Sequence, residues 1–111
     1  MAGSYVISQA KNGQFTFNLR AGNHQVILTS QTYSAKSGAM NGIQSVQKNG
    51  ANDARFTRKT AKNGSAYFVL SAANGEVIGK SQMYSSTATM ENGIRSVKAN
   101  ASSRNIVDKT K

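Results

Sequence analysis

The chain has no cysteine, which excludes disulfides, thiolate nucleophiles and cysteine-based zinc sites and leaves packing and hydrogen bonds to stabilise the fold. Nowhere do apolar residues run long enough to cross a bilayer, and residues 1–10 have neither the basic segment nor the apolar stretch of a signal peptide. A cytoplasmic, non-membrane protein is expected. Acids are scarce too: Asp53, Glu76, Glu91 and Asp108 are the only four, scattered with no metal-ligand spacing. There is one histidine, His24. Serines and threonines are common, but none stands in a nucleophile-elbow or phosphate-loop pattern. An enzyme needs a nucleophile or base, an orienting partner and a stabiliser in reach of one another. This inventory assigns no catalytic residue, no metal ligand and no cofactor site.

What is present is positive charge. Fourteen Lys and Arg give a net charge of +10, a long-range field that attracts anionic partners without specifying them. At 111 residues with 38% hydrophobic content, the chain suits one compact domain spanning residues 1–111.

The strongest pattern is internal. Shifted by about 51 residues the chain matches itself without gaps, and about half of residues 10–49 are identical to their counterparts. Lys11-Asn12-Gly13 recurs as Lys62-Asn63-Gly64, Ser30-Gln31-Thr32-Tyr33-Ser34 as Ser81-Gln82-Met83-Tyr84-Ser85, and Asn41-Gly42-Ile43 as Asn92-Gly93-Ile94. Two copies, at about residues 4–53 and 55–104, are too few for a solenoid and imply one body with a pseudo-twofold axis, a homodimer fused end to end.

Each copy reads alike. Residues 4–9 and 14–20 flank Asn12-Gly13, a pair suited to a type I′ hairpin turn, and Phe15, Phe17 and Leu19 alternate with polar residues as in a strand buried on one face. A third strand is expected at 25–30, with His24 in the turn before it where the second copy has Gly75. Over residues 35–48 the period changes: Ala39, Ile43 and Val46 form the buried stripe of an amphipathic helix, capped by Ser34 and stopped by a left-handed Asn49-Gly50. The second copy repeats this with Ser85, Met90, Ile94 and Val97, and Glu91 is expected to pair with Arg95 one turn on. Extended runs at 54–60 and 105–108 follow the helices. The first closes one unit and opens the next, which invites strand exchange across the axis. Gly42 and Gly93 interrupt good helical sequence on the buried side, which points to a close approach of the helix backbone to the sheet or to the other helix.

These segments resemble the YegP-like family over nearly the whole chain. The resemblance implies an α+β fold: two tandem β3-α-β units forming a single antiparallel-rich sheet, both helices on one face and C-terminal strands exchanged between units. It implies no catalytic or ligand residue.

Two kinds of surface remain. Arg55, Arg58, Lys59 and Lys62, with Lys11 at the position equivalent to Lys62, form the densest cationic run and are the candidate polyanion contacts. Tyr67, Val69 and Arg20 point away from the helices and are the candidate contacts of an uncovered sheet face. The expected function is a non-enzymatic interaction or scaffold module acting through a sheet face or edge. Its alternative is a weak, sequence-tolerant binder of nucleic acid or another polyanion. The chain is expected to be a monomer. Because one copy cannot complete the sheet, a chain ending at Gly50 is predicted to be unfolded or dimeric by sedimentation and NMR; a stable folded monomer would refute the shared core.

Overall fold

The hairpin turns share one chemistry. The Gly13 N–H donates to the Ala10 carbonyl at 3.0 Å and the Ala10 N–H to the Gln14 carbonyl at 2.8 Å, closing a three-residue loop, Lys11-Asn12-Gly13. Only Gly13 has positive φ, 84°. The loop is therefore a type I turn ending in a glycine bulge, and the type I′ expectation, which needs positive φ at two residues, is corrected. Asn12 Oδ1 accepts the Gln14 N–H at 3.0 Å, and Asn23, Asn63 and Asn74 make the same bond two residues ahead. His24 holds the left-handed position, at φ 70°, that Gly75 occupies in the other copy.

The computed structural model describes residues 3–110, so residues 1, 2 and 111 of the expected domain lie outside. Strands β1 (Ser4–Gln9), β2 (Phe15–Arg20) and β3 (Val26–Ser30) precede helix α1 (Lys36–Asn49). A 3-10 turn at Asp53–Arg55 leads to β4 (Phe56–Thr60), β5 (Ala66–Ser71), β6 (Val77–Lys80), helix α2 (Thr87–Asn100) and β7 (Ile106–Asp108). The seven strands form one sheet in the order β4-β5-β6-β3-β2-β1-β7. All neighbours are antiparallel except β7, which leaves the second unit and adds parallel to β1 of the first. The exchange runs one way: the chain leaving α1 becomes β4 itself and pairs with β5. Consequently Val6 and Ile7 on β1 are buried, whereas their counterparts Thr57 and Arg58 on the opposite edge are exposed. A charged, polar edge strand resists further pairing.

Both helices contribute to one core. Ile43 and Val46 from α1, Ile94 and Val97 from α2, and Tyr5, Phe17, Leu19, Leu28, Phe68 and Leu70 from the strands belong to one buried cluster. Its skeleton is a duplicated aromatic triad. Tyr5 meets Phe17 edge-on and Phe17 stacks on Tyr33; Phe56 meets Phe68 edge-on and Phe68 stacks on Tyr84. Tyr33 and Tyr84 are the tyrosines of the repeated Ser-Gln-x-Tyr-Ser segments. Each is fixed by paired backbone bonds, Tyr33 to Phe15 and Tyr84 to Ala66. The serine that opens each segment patches the ladder: the Ser30 and Ser81 hydroxyls accept the Phe17 and Phe68 N–H groups and donate to the next carbonyl.

The helix glycines rest on these rings. A Cβ at Gly42 would collide with the Tyr33 hydroxyl and lie 2.7 Å from Phe17 Cε2; at Gly93 it would collide with the Tyr84 hydroxyl and lie 2.8 Å from Tyr84 Cζ. The close approach is to the sheet, as expected, and not to the other helix; it is made with aromatic rings of the same unit, Phe17 of β2 and Phe68 of β5 together with the tyrosines.

Helix ends also differ from expectation. The N-cap positions are Ala35, with no side-chain bond, and Ser86, whose hydroxyl accepts the Thr89 N–H, one residue beyond Ser34 and Ser85. Gly50 is right-handed, at φ −68°. Space explains it: a Cβ there would collide with Ala101 and lie 2.7 Å from the Val46 carbonyl.

Gly50 and Ala101 are counterparts in the repeat, so their contact lies on the pseudo-dyad. The same is true in the sheet, where Thr29 pairs with its own counterpart Lys80. Beside that pair, Gly79 stands where the first copy has Leu28, and a Cβ on Gly79 would lie 2.9 Å from Leu28 Cγ. One leucine fills the space at the axis.

Leu at position 42 or 93 is expected to lower stability by about 1 to 3 kcal/mol through overpacking. Denaturant melts of Gly42→Leu and Gly93→Leu test this; unchanged midpoints would mean the tyrosine rings move aside without cost.

Candidate interaction surface

The sheet face opposite the helices is set by strand alternation and two matched bulges. Register shifts between Leu19 and Arg20 and between Leu70 and Ser71 leave Ile27 and Ile78 as extra residues, each buried in the core beside Leu28 or Gly79. Without the bulge, parity would send Lys80 to the same face as Ile78. With it, Val77 and Lys80 both face away from the helices, as do Val26 and Thr29.

Cross-strand pairing then lays a continuous row over all seven strands: Thr57, Val69, Lys80, Thr29, Asn18, Val6 and Val107. Next to it stand the pairs Lys59–Tyr67, Ser71–Val77 and Arg20–Val26. Lys80 Nζ lies 5.4 Å from the centre of the Tyr67 ring, within cation–π range. A groove of about 480 Å³ opens at the middle of this face, lined by Val26, Thr29, Val69, Val77, Lys80 and Gln82 among others. Val77 is 42% exposed and Val107 44%. Val69 is buried by its neighbours.

Every acid is on the other side or in a turn. Asp53 accepts from Lys98 at 2.7 Å and from Arg58 at 3.0 Å, and these bonds, Lys98 first, hold its carboxyl down at about 2. Glu91 is held below the usual range chiefly by Arg58, which reaches it at 2.7 Å. Asp108 pairs with Lys36, tying β7 to the start of α1, and is likewise held low. Glu76 lines a helix-side cleft with Tyr33, Asn41 and Gly42; burial, then the Glu76 charge, pushes the Tyr33 hydroxyl up. An equivalent cleft lies by Tyr84, Asn92 and Gly93. Among the described residues no three His, Cys, Asp or Glu gather as a metal site, and no helix is long and apolar enough to cross a membrane.

The cationic run does not assemble into one track. Arg55 sits in the 3-10 turn with Nε donating to Asn49 Oδ1 at 3.3 Å. Arg58 faces the helix side opposite Phe68 and is engaged by two carboxylates, which hold its guanidinium charged. The expected Glu91–Arg95 pair gives way to this network, and Arg95 donates to Asn92 instead. Lys59 alone of the run lies on the open face. Lys62 and Lys11 are exposed in hairpins on opposite sides of the sheet. Tyr67, Val69 and Arg20 occupy the open face. Sequence reasoning missed Lys80, Val26 and Val77, because the bulge that turns them outward leaves no mark in the residue pattern.

Fold and surface together define a class: a fused pseudo-dimer with one helix-covered and one bare sheet face. Comparison with known proteins agrees. Residues 10–56 and 61–108 each match the "Domain of unknown function (DUF1508)". A UPF0339 protein of Shewanella oneidensis is 54% identical over 110 residues, covering 99% of this chain and all of the relative; YegP of Escherichia coli is 47% identical over 110 residues with the same coverage. Solution NMR structures of the Shewanella oneidensis and E. coli relatives superpose with TM-scores of 0.93 and 0.94, at 55% and 47% identity, covering 99% of this chain and 93% and 95% of theirs. The chain belongs to the UPF0339 (YegP-like) family.

The depressed carboxyls set an acid limit. An unfolded chain protonates its Asp and Glu near pH 4, while the folded state resists until lower pH, so the stability they contribute is full above about pH 4 and is lost as pH falls toward 2. Urea midpoints are expected to hold from pH 7 to 5 and drop between about 4.5 and 2. The double variant Asp53→Asn/Glu91→Gln should show a shallower drop; an unchanged profile would discount the network.

Proposed function

We propose that this protein is a non-enzymatic interaction module, a monomer of the cytoplasm, whose working surface is the bare face of the sheet. The observation that carries this reading is the partition of charge. Arg20, Lys59 and Lys80 stand on a face with no acid, which holds a groove lined in part by Val26, Val69, Val77 and Lys80, while the four acids lie elsewhere and three of them are ion-paired. A face that is partly apolar and uniformly cationic favours a partner over solvent alone. The absence of cysteine, scattered acids and ion-paired carboxylates support a non-catalytic role.

The second reading, sequence-tolerant binding of nucleic acid or another polyanion, draws support from the same three cations and the +10 net charge. Salt separates the two, since counterion release makes polyanion binding fall steeply with ionic strength. The test is affinity capture from lysate, with and without nuclease treatment, at low and moderate salt. It compares the wild-type chain with Arg20→Glu/Lys59→Glu/Lys80→Glu and with a helix-side control, Lys48→Glu/Arg95→Glu. The open-face variant should lose a protein partner that the control retains at moderate salt. Loss by the helix-side control alone would move the surface to the other face, and loss of all capture on nuclease treatment would favour the polyanion reading.

A further inference from the structure

Within the duplicated chain the two faces of the sheet have diverged differently. On the helix side most of the packing counterparts agree, Phe17 with Phe68, Leu19 with Leu70, Tyr33 with Tyr84, Gly42 with Gly93, Ile43 with Ile94 and Val46 with Val97, the exceptions including Leu28 with Gly79 and Ile7 with Arg58. On the bare face Val26 and Val77 agree, but others do not. Ser8, Thr16, Asn18 and Thr29 of the first copy correspond to Lys59, Tyr67, Val69 and Lys80 of the second. Pairing brings those four second-copy residues together, Lys59 beside Tyr67, Val69 beside Lys80, and Lys80 over the Tyr67 ring. Packing explains the sameness of the helix side. It does not ask for two lysines and a tyrosine on an uncovered surface.

Resting on the sheet-face reading, we propose that the second copy's half of this face, centred on Lys59, Tyr67, Val69 and Lys80, is the contact half and that its partner is an acidic, apolar polypeptide segment lying extended across the strands. Charge complementarity selects an anionic partner, since neither lysine pairs with an acid among the described residues. The chemistry of the groove selects polypeptide over nucleic acid. Val26, Val69 and Val77 line it in part, suited to an aliphatic side chain, and the face offers a base one aromatic ring, Tyr67, with Lys80 over it, rather than a row of rings to stack on. Lys59 and Lys80 sit two strands and two residues apart, roughly 12 Å from sheet geometry. In an extended segment residues i and i+4 are about 13 Å apart and share a face with i+2. The matching pattern is Glu-x-Leu-x-Glu, with the leucine between the lysines, over Tyr67 and Val69 at the edge of the groove, and the carboxylates meeting the lysines.

The probe is the peptide acetyl-Ser-Glu-Thr-Leu-Thr-Glu-Ser-amide, titrated into the full chain and followed by backbone amide NMR shifts. Its Gln-for-Glu analogue and an eight-nucleotide oligothymidylate serve as comparators. Shifts are expected at Lys59, Tyr67, Val69, Val77 and Lys80 and not at Ser8, Thr16 and Asn18, with binding weakened at least tenfold for the Gln analogue and lost in Lys59→Glu/Lys80→Glu. These lysines are exposed, so the variant's spectrum also reports that the fold is intact. Equal shifts on both halves, or shifts on the helix side, would overturn the assignment of the contact half. Tighter binding of oligothymidylate at the same residues would overturn the partner class and leave the sheet-face reading standing. If neither probe moves the bare face while lysate capture still depends on it, this inference alone falls; if capture fails as well, both do.

Discussion

The fold depends on a tyrosine lying between a helix and a sheet. Tyr33 and Tyr84 are held by backbone pairing to the second strand of their own unit, stack on its phenylalanine, and present the ring edge to a helix that has given up a side chain to receive it. Glycine in a helix costs about 1 kcal/mol against alanine, and the gap it leaves is filled by the half-buried tyrosine ring, whose apolar contact offsets that cost. The stack fixes how closely each helix approaches the strands, and through that the seating of Ile43, Val46, Ile94 and Val97 in the core. It also commits one side of the sheet wholly to internal packing, which leaves the other as the surface free to vary.

That free surface owes its composition to two extra residues. The bulges at Ile27 and Ile78 turn one additional apolar side chain into the core in each copy, and in doing so rotate Thr29 and Lys80 outward. A small adjustment made for core packing thus decides which charges meet solvent. The acids follow the opposite course: three of the four are recruited to bind strand to helix, Asp108 on Lys36 and the pair Asp53 and Glu91 on Arg58 and Lys98. Negative charge is used up internally on the packed side, and the bare side is left cationic by default.

Much of this architecture is legible from the residues, because repetition and period are properties of sequence. The strands expected at 4–9 and 14–20, both helices and the buried glycines could be read from alternation, the 3.6-residue stripe and the second copy. What failed was local geometry with more than one solution. Asn-Gly suits a two-residue turn or the end of a three-residue one, and the hydrogen bonds alone distinguish them. Ser34 and Ala35 are both adjacent to the helix start, and only the backbone geometry places the cap at Ala35. Glu91 had a partner in reach on its own helix, yet Arg58, distant in sequence, offers a bidentate guanidinium. For the surface, Tyr67, Val69 and Arg20 followed from simple alternation. Lys80 did not, since a bulge inverts alternation without changing composition.

The contacts on the pseudo-dyad have a consequence for how such a molecule can change. When two identical chains meet on a twofold axis, every residue there arrives in duplicate, and the space between them can be filled only in even steps. Joining the copies removes that restriction. Leu28 facing Gly79, and Gly50 facing Ala101, are odd fillings, one side chain where symmetry would demand two or none. Once such unequal pairs are in place the halves are no longer interchangeable, and a return to self-association would bring leucine against leucine. Fusion in this protein therefore acts as a ratchet.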